Sequence, residues 1–198
     1  MNYLAHLLLA EPTPAGRVGN LLGDFVKGGA LHALPSALQR GVLLHREIDV
    51  FTDSHPVVRR SRRRLGDGYH LVRPLMIDLF YDHFLARSWE RFSDLPLAVF
   101  AAEVYAALAR YEPHLPERLR RALPRMRDQD WLSMYRELGG VERALQGMAR
   151  RLRRPTRIGE GLAALQASYD PLRADFLEFF PALRAHVEQA ATRRARSR

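Results

Sequence analysis

The sequence predicts an all-α protein, and three observations lead to that fold class. Apolar residues recur mostly at three- and four-residue spacing, the period of amphipathic helices. No alternating apolar and polar run is flanked by hairpin turns, so strands are not expected. Proline and glycine clusters divide the chain into segments of helical length. We therefore expect a single-domain helical bundle over residues 1–192, followed by a basic, frayed tail at 193–198 that has no apolar anchor.

The breaks between these segments predict ten helices. They are expected near 2–10, 18–28, 35–53, 56–65, 71–91, 96–111, 116–137, 139–152, 158–168 and 171–193. At 198 residues, one domain of this kind is long enough to bury about 70% of the surface that its unfolded chain exposes. No internal repeat is visible, and the breaks are too short to be interdomain linkers.

The first predicted helix carries a histidine in an apolar setting. Within YLAHLLLA, every near neighbour of His6 is apolar, so His6 is either a satisfied core residue or a ligand. The apolar run ends at Glu11 and Pro12 and no basic segment precedes it, so it is too short to span a membrane and lacks the pattern of a signal peptide. We expect a soluble, cytoplasmic protein with no membrane partner.

The next helices carry three more polar residues among apolar neighbours. Asp24 stands in the segment GNLLGDFVKGG, where it is either a helix cap or part of a site. In the helix near 35–53, His45 and Asp49 are one turn apart on the same face. At this spacing the two side chains bind one metal ion, or the carboxylate orients the imidazole that does so. A hydrogen-bonded pair on a helix surface is the alternative, and it is the more common meaning of this pattern when it occurs alone.

The helix near 71–91 is apolar nearly all round, yet Asp78 and Asp82 are neighbours on one of its faces. Two ionised carboxylates on a buried helix repel each other and lose hydration, which only a cation or strong donors offset. A solvated face is the alternative, but the neighbours on that face are leucines. His83 follows directly and points about 100° away on the helical wheel.

Composition narrows the chemistry that such residues can perform. The chain has no cysteine, so metal ligands must be His, Asp or Glu. Mixed imidazole and carboxylate ligands suit Mn²⁺, Fe²⁺ or Zn²⁺, and the predominance of carboxylates favours Mn²⁺ or Mg²⁺. Such a centre supplies a hydroxide nucleophile for phosphoester hydrolysis. The sequence has no Gly-x-Ser-x-Gly elbow and no Walker-type loop.

The basic charge of the chain predicts an anionic partner. Lys and Arg number 31 against 22 Asp and Glu, which gives a formal net charge of +9. The arginine-rich segments 57–66 and 148–157 are the candidate contact surfaces, and the alternative is that each is merely a solvated arginine face. A helical nucleic-acid-binding protein is the interpretation from another class, but it leaves the buried carboxylates unexplained and no nucleic-acid motif is present.

Six segments resemble the acyl-carrier-protein phosphodiesterase family. They are MNYLAHLLLA (1–10), GNLLGDFVKG (19–28), LHREIDVFTDSHP (44–56), PLMIDLFYDHFLARSW (74–89), GMARRLRRP (147–155) and YDPLRADFLEFFP (169–181). The resemblance implies a helical fold related to HD-domain metal phosphohydrolases. It also implies hydrolysis of the phosphodiester that joins 4′-phosphopantetheine to the carrier protein's serine, with Mn²⁺ favoured and the acidic acyl carrier protein as partner. The adjacent His-Asp doublet of HD enzymes has no counterpart in this sequence.

The resulting hypothesis assigns roles to nine residues. The metal ligands are expected among His6, Asp24, His45, Asp78 and Asp82. Asp49 is expected to orient an imidazole, Lys27 or Arg46 to steady the phosphate, and His83 to protonate the leaving serine oxygen. An HD-type nucleotide phosphohydrolase that uses the same metal chemistry is the alternative enzyme.

Overall fold

The computed structural model describes residues 3–196, and it is all-α throughout that range. The ten α-helices are α1 (Tyr3–Leu9), α2 (Pro14–Leu22), α3 (Ser36–Ser54), α4 (Pro56–Arg64), α5 (Arg73–Arg87), α6 (Leu97–Arg110), α7 (Glu117–Asp128), α8 (Leu138–Ala149), α9 (Gly161–Ala167) and α10 (Tyr169–Arg196). Short 3₁₀ helices lie between them at Gly28–Ala33, Asp67–Tyr69, Trp89–Arg91, Glu112–His114, Ser133–Arg136 and Arg157–Glu160. Between residues 3 and 196 there is no strand, which confirms the predicted fold class.

Helix α5 lies at the centre of the core, as its apolar sequence predicts. Met76, Ile77, Phe80 and Phe84 are completely buried, and the helix contacts α1, α4, α8 and α10. A helix buried on most sides can be apolar nearly all round because every face has a packing partner. The helix that carries the two aspartates is therefore the one around which the bundle is built.

Helices α2 and α3 pack unusually closely, and two glycines make this approach sterically allowed. A Cβ atom on Gly41 would lie 2.6 Å from the backbone nitrogen of Asn20 and 2.7 Å from the Cα of Gly19. A Cβ atom on Gly19 would lie 2.4 Å from the carbonyl oxygen of Leu38. Any larger side chain at either glycine would push the two backbones apart. This contact brings side chains of α2 within reach of side chains on α3.

Two predicted helices differ most from the structure in their bounds. The helix predicted near 18–28 begins at Pro14, because Thr13 caps it by accepting a hydrogen bond from the Gly16 amide at 3.0 Å, and it ends at Leu22. The helix predicted over 116–137 is wrong in its second half. Helix α7 ends at Asp128, and Asp130 has a left-handed φ of 42°, which no helix continues through.

The C-terminal helix reaches into the segment expected to fray. Helix α10 continues to Arg196, and Arg194 forms an ion pair with Glu47 of α3. Residues 197 and 198 lie outside the described residues, so the frayed tail at 193–198 stays a prediction, as does the domain boundary at 192. Among the helices described here, none is long and apolar enough to cross a membrane.

Candidate functional site

Three side chains from two helices meet at the candidate site. His6 of α1 and His45 of α3 direct their Nε2 atoms at the carboxylate of Asp49, with distances of 3.1 Å to Oδ1 and 3.0 Å to Oδ2. The two imidazole rings are stacked, with centroids 3.9 Å apart. One ligand atom from each residue lies within 4.8 Å of the others, so the structure brings together the histidines that the sequence singled out.

The cluster is buried on one side and open on the other. His6 and His45 are buried, whereas the side chains of Asp49 and Asp24 are 41% and 47% exposed. Asp24 follows α2 and places Oδ1 at 3.5 Å from His45 Nε2, so it stands at the mouth of the site. A ligand arriving from solvent would meet the two carboxylates before it met the imidazoles.

The two candidate phosphate-binding residues lie on the exposed side of this region. Arg46 follows His45 on α3, and its Nη2 donates a hydrogen bond to the carbonyl oxygen of Val26 at 3.1 Å. This bond ties α3 to the segment that carries Asp24. Lys27 is exposed and immediately precedes the 3₁₀ helix Gly28–Ala33. The Arg46 side chain is thus held in position by its hydrogen bond to Val26, whereas the Lys27 side chain is exposed at the surface.

The two histidines have opposite protonation tendencies. Burial lowers the pKa of His6 to about 4, so this imidazole is neutral at physiological pH. Burial also lowers the pKa of His45, but hydrogen bonds to Asp24 and Asp49 outweigh it and raise the pKa to about 9. Burial raises the pKa of Asp49, yet its contacts with His45 and His6 hold the pKa well below its usual range. A proton on His45 therefore balances one of the two carboxylates.

Asn20 is a residue of the site that sequence reasoning missed. It is completely buried on α2, and its Oδ1 lies 3.1 Å from His6 Nδ1. A neutral imidazole has one N–H, so with the proton on Nδ1 it donates to Asn20 and its Nε2 lone pair faces Asp49. A bound cation between Nε2 and the carboxylate would resolve this contact of lone pairs. The available signal was an amide among apolar residues, one turn before Asp24.

Gly23 holds the second imidazole by steric contact. A Cβ atom at this position would lie 2.2 Å from Cγ of His45, so only glycine leaves room for the ring. His45 Nδ1 is buried and has no hydrogen-bond partner among the residues that the structure describes. The orientation of His45 thus depends on packing against Gly23, on stacking against His6 and on the Nε2 contacts with the carboxylates. His6 is in addition held at Nδ1 by its hydrogen bond with Asn20.

The structure does not bring Asp82 into the cluster. Its two carboxylate oxygens accept hydrogen bonds from the backbone amides of Leu4 and Ala5, at 2.7 and 3.0 Å. Burial raises the pKa of Asp82 to about 7, and these two amides oppose the rise. Asp82 thus anchors the first turn of α1, the helix that carries His6. Burial also raises the pKa of Asp78, which is not among the three residues of the cluster.

His83 also lies outside the cluster, with both ring nitrogens engaged elsewhere. Nδ1 donates to the carbonyl oxygen of Tyr135 at 2.7 Å, and Nε2 accepts from the Tyr169 hydroxyl at 2.9 Å. Burial lowers the pKa of His83, which is consistent with a neutral imidazole. His83 therefore joins α5 to the beginning of α10 and is not positioned to donate a proton at the cluster.

The donor set of the cluster fits a divalent cation. The ligands of one such ion sit about 2.0–2.2 Å from it, so they lie up to about 4 Å apart, close to the separations present here. His6 offers a neutral imidazole whose second nitrogen is fixed by Asn20, the arrangement common to metal-bound histidines. Two imidazoles with one or two carboxylates suit Mn²⁺, Fe²⁺ and Zn²⁺.

The protein is therefore a helical protein whose candidate site combines two buried histidines with a partly exposed carboxylate. The model of the acyl carrier protein phosphodiesterase family matches residues 1–183, and the chain belongs to that family. It is 36% identical over 192 residues to the acyl carrier protein phosphodiesterase of Salmonella dublin. The alignment covers 96% of this chain and 100% of that relative. The enzymes of that name from Salmonella newport (strain SL254) and Salmonella heidelberg (strain SL476) are 35% identical with the same coverage. No solved structure matches the chain.

Proposed function

We propose that this protein hydrolyses the phosphodiester joining 4′-phosphopantetheine to the serine of holo acyl carrier protein, and that the reaction depends on a divalent cation. The observation that carries the proposal is the convergence of His6, His45 and Asp49, which lie in the part of the chain that the family model matches. The relatives named for this activity align with nearly the whole chain. Mn²⁺ is the favoured cation, with Mg²⁺ or another divalent ion as the alternative.

The proposed ligands are His6 Nε2, His45 Nε2 and the Asp49 carboxylate, with Asp24 as a fourth at the mouth. Asp49 is thereby a ligand as well as the group that orients the imidazoles, because both of its oxygens face ring nitrogens. Asp82 is assigned an anchoring role, since both of its oxygens accept from backbone amides.

Hydrolysis adds water across the bond between phosphorus and the serine oxygen, so phosphorus gains a hydroxyl and serine gains a proton. When bound, the cation would neutralise phosphoryl charge and lower the pKa of a water molecule. The protein's own contribution is to present the lone pair of His6, which Asn20 orients, and to hold the His45 ring against Gly23, where its Nε2 would become a ligand once a cation displaced its proton. The buried side of the two imidazoles also excludes water. Arg46 uses one of its five N–H donors on Val26, and the others are available for a phosphoryl oxygen.

A relation to HD-domain phosphohydrolases is part of this proposal. It is supported by the helical fold and by a donor set of histidines and carboxylates. The histidine and aspartate of the cluster are not adjacent in sequence. His45 and Asp49 are one helical turn apart, and this spacing directs both side chains to one face of α3.

The test is incubation of chelator-stripped protein with holo acyl carrier protein, with and without Mn²⁺, followed by intact mass of the carrier. We expect loss of the phosphopantetheine mass only when Mn²⁺ is present. An unchanged carrier together with hydrolysis of nucleotide phosphoesters would replace this function with that of a nucleotide phosphohydrolase. Cleavage that persists at full rate with excess chelator would refute the metal dependence.

A further inference from the structure

The arginines of this protein differ in how far the chain itself neutralises them. On α4, within the segment 57–66, Arg60 pairs with Asp175 and Glu178, Arg62 pairs with Asp53, and Arg64 pairs with Asp175. Of the five arginines on this helix, only Arg59 and Arg63 have no acidic partner within the described residues. Most of the positive charge on α4 is therefore occupied in holding the bundle together.

A second group of arginines remains without acidic partners. Arg118 and Arg125 of α7 and Arg151, which follows α8, are exposed, and none has a carboxylate within 4.0 Å among the residues that the structure describes. Arg118 and Arg125 line a surface groove of about 610 Å³ beside Trp131. The groove also contains Arg121, whose charge is met by Glu117. This face thus offers cationic groups that an external anion can pair with.

Tyr3 experiences charges from both the arginine face and the mouth of the site. It lies one helical turn before His6 on α1. Burial and the charge of Asp24 raise the pKa of the Tyr3 hydroxyl, whereas Arg151 and Arg118 oppose the rise. The charge of a carboxylate at the mouth and the charges of two unpaired guanidinium groups thus act on the same hydroxyl, one turn from the first proposed ligand.

We propose that Arg118, Arg125 and Arg151 form the docking surface for the acidic face of a carrier protein. This inference rests on the proposed function and adds the surface through which the substrate protein is held. The argument is charge complementarity, because a grooved surface of unpaired guanidinium groups pairs with carboxylates and accelerates encounter. The serine-linked phosphodiester of a carrier seated there would reach the cluster past Tyr3.

The test compares two double variants that change the net charge equally. Arg118→Glu with Arg151→Glu alters the proposed surface, and Arg59→Glu with Arg63→Glu alters α4. Each replaces two positive by two negative charges, so bulk electrostatics are matched. The dissociation constant for Salmonella holo acyl carrier protein is measured with EDTA present, which separates docking from turnover. We expect it to rise about tenfold or more for the first variant, with a weaker salt dependence, and less than about threefold for the second.

Several outcomes would overturn the proposal. Equal weakening by both variants would mean that only net charge matters, and a larger effect from the α4 variant would place docking there. Failure of the unmodified protein to bind the carrier at low salt would also overturn it. Tighter binding of a single-stranded oligonucleotide than of the carrier, lost with Arg118 and Arg151, would make this face a nucleic-acid site instead.

A separate readout distinguishes this proposal from the function on which it rests. Hydrolysis of bis(p-nitrophenyl) phosphate with Mn²⁺ reports the cluster without docking, and we expect it to be unchanged in both double variants. Carrier binding that depends on Arg118 and Arg151, without any cleavage, would support the docking surface and refute the proposed reaction. If the protein cleaves the carrier, and the dissociation constant of the Arg118→Glu, Arg151→Glu variant is unaltered, the proposed reaction is supported and the docking surface is refuted.

Discussion

Two carboxylates of the bundle, Asp49 and Asp175, each join two helices through their side-chain partners, but the partners differ in charge. Asp175 of α10 is buried and accepts hydrogen bonds from Arg60, Ser61 and Arg64 of α4, at 2.8, 2.8 and 2.7 Å. Asp49 is 41% exposed, and its two oxygens face the Nε2 atoms of two imidazoles. One carboxylate is surrounded by permanent cations, and the other by groups that carry lone pairs when neutral.

The difference in charge distinguishes a carboxylate that stabilises the fold from a cluster that can bind a cation. Asp175 and Glu178 carry two negative charges, which Arg60 and Arg64 neutralise. At the cluster, two carboxylates face one imidazole whose pKa is raised to about 9 and one whose pKa is lowered to about 4. The cluster thus retains a negative surplus near neutral pH. A carboxylate that serves stability is neutralised by the chain, whereas the cluster can accept a cation from outside.

Removing the charge of Asp49 should have the largest effect. Asp49→Asn keeps the size of the side chain but gives the cation a poorer ligand, so bound Mn²⁺ and turnover should both fall by more than about 100-fold. Metal content by mass spectrometry and cleavage of holo carrier protein measure this. Asp53→Asn is the matched control, because Asp53 lies one turn further on α3 and pairs with Arg62 at the surface. If Asp49→Asn retained bound metal and turnover, Asp49 would not be a metal ligand, and its proposed difference in function from Asp175 would be wrong.

The corresponding change at Asp175 should affect stability and leave the chemistry intact. Asp175→Asn leaves two guanidinium groups facing an amide, which should lower the free energy of unfolding by about 2–3 kcal/mol, less than a fully buried pair because the arginines are partly exposed. Urea denaturation measures the loss. Glu178→Gln, at an exposed partner of Arg60, should cost less than about 1 kcal/mol. A loss of turnover in folded Asp175→Asn protein would contradict the division between the two sites.

The pH dependence of that loss has a definite sign. Burial raises the pKa of Asp175, but its hydrogen bonds from Arg64, Arg60 and Ser61 outweigh this and hold the pKa below the usual value. The stabilisation by Asp175 is therefore present above the unfolded-state pKa of about 4, and it is lost as pH falls through the lower folded-state pKa. The difference in stability between the unmodified protein and Asp175→Asn should shrink below about pH 4. A difference that stayed constant down to pH 2 would exclude this origin.

Changes at Asn20 should have the smallest effect of those considered, and they test how the cluster orients His6. Asn20→Ala removes the acceptor at His6 Nδ1 and should weaken Mn²⁺ binding about 10- to 100-fold. Asn20→Asp retains an acceptor oxygen in the same place and should preserve binding. Titration with Mn²⁺, followed by electron paramagnetic resonance of the free ion, measures both. If Asn20→Ala and Asn20→Asp weaken Mn²⁺ binding equally, Asn20 donates a hydrogen bond to His6. Asn20 would then not direct the lone pair of His6 Nε2 toward Asp49.

The fold could be predicted from the sequence because helical periodicity and helix breakers are local. The spacing of apolar residues predicted a buried α5, and the one-turn spacing of His45 and Asp49 placed both side chains on one face. Local patterns failed at Asp130, where a left-handed residue ends a helix whose apolar spacing continues. Aspartate is one of the residue types that adopt a left-handed conformation more often than others, but most aspartates do not, so the residue type alone did not reveal the break.

The partners of the polar residues could not be predicted, because they are far apart in sequence. Asp78 and Asp82 have the same sequence signal, yet Asp82 accepts from the amides of Leu4 and Ala5, 78 and 77 residues away. The arginines of α4 likewise give no sign that Asp175, more than 100 residues later, neutralises two of them. Sequence reasoning identified which residues needed partners, and the folded chain decided what those partners were.

The anchoring of α1 by Asp82 has a consequence for the order in which the site is assembled during synthesis. Helix α1 has seven residues, too few to be stable alone in water. The ribosome releases His6 before Asp82, because the carboxylate that holds the first turn of its helix emerges about 76 residues later. A nascent chain that has not yet released Asp82 carries the first proposed ligand in an unanchored segment. Capture of the cation would therefore follow the docking of α5 and would not guide it.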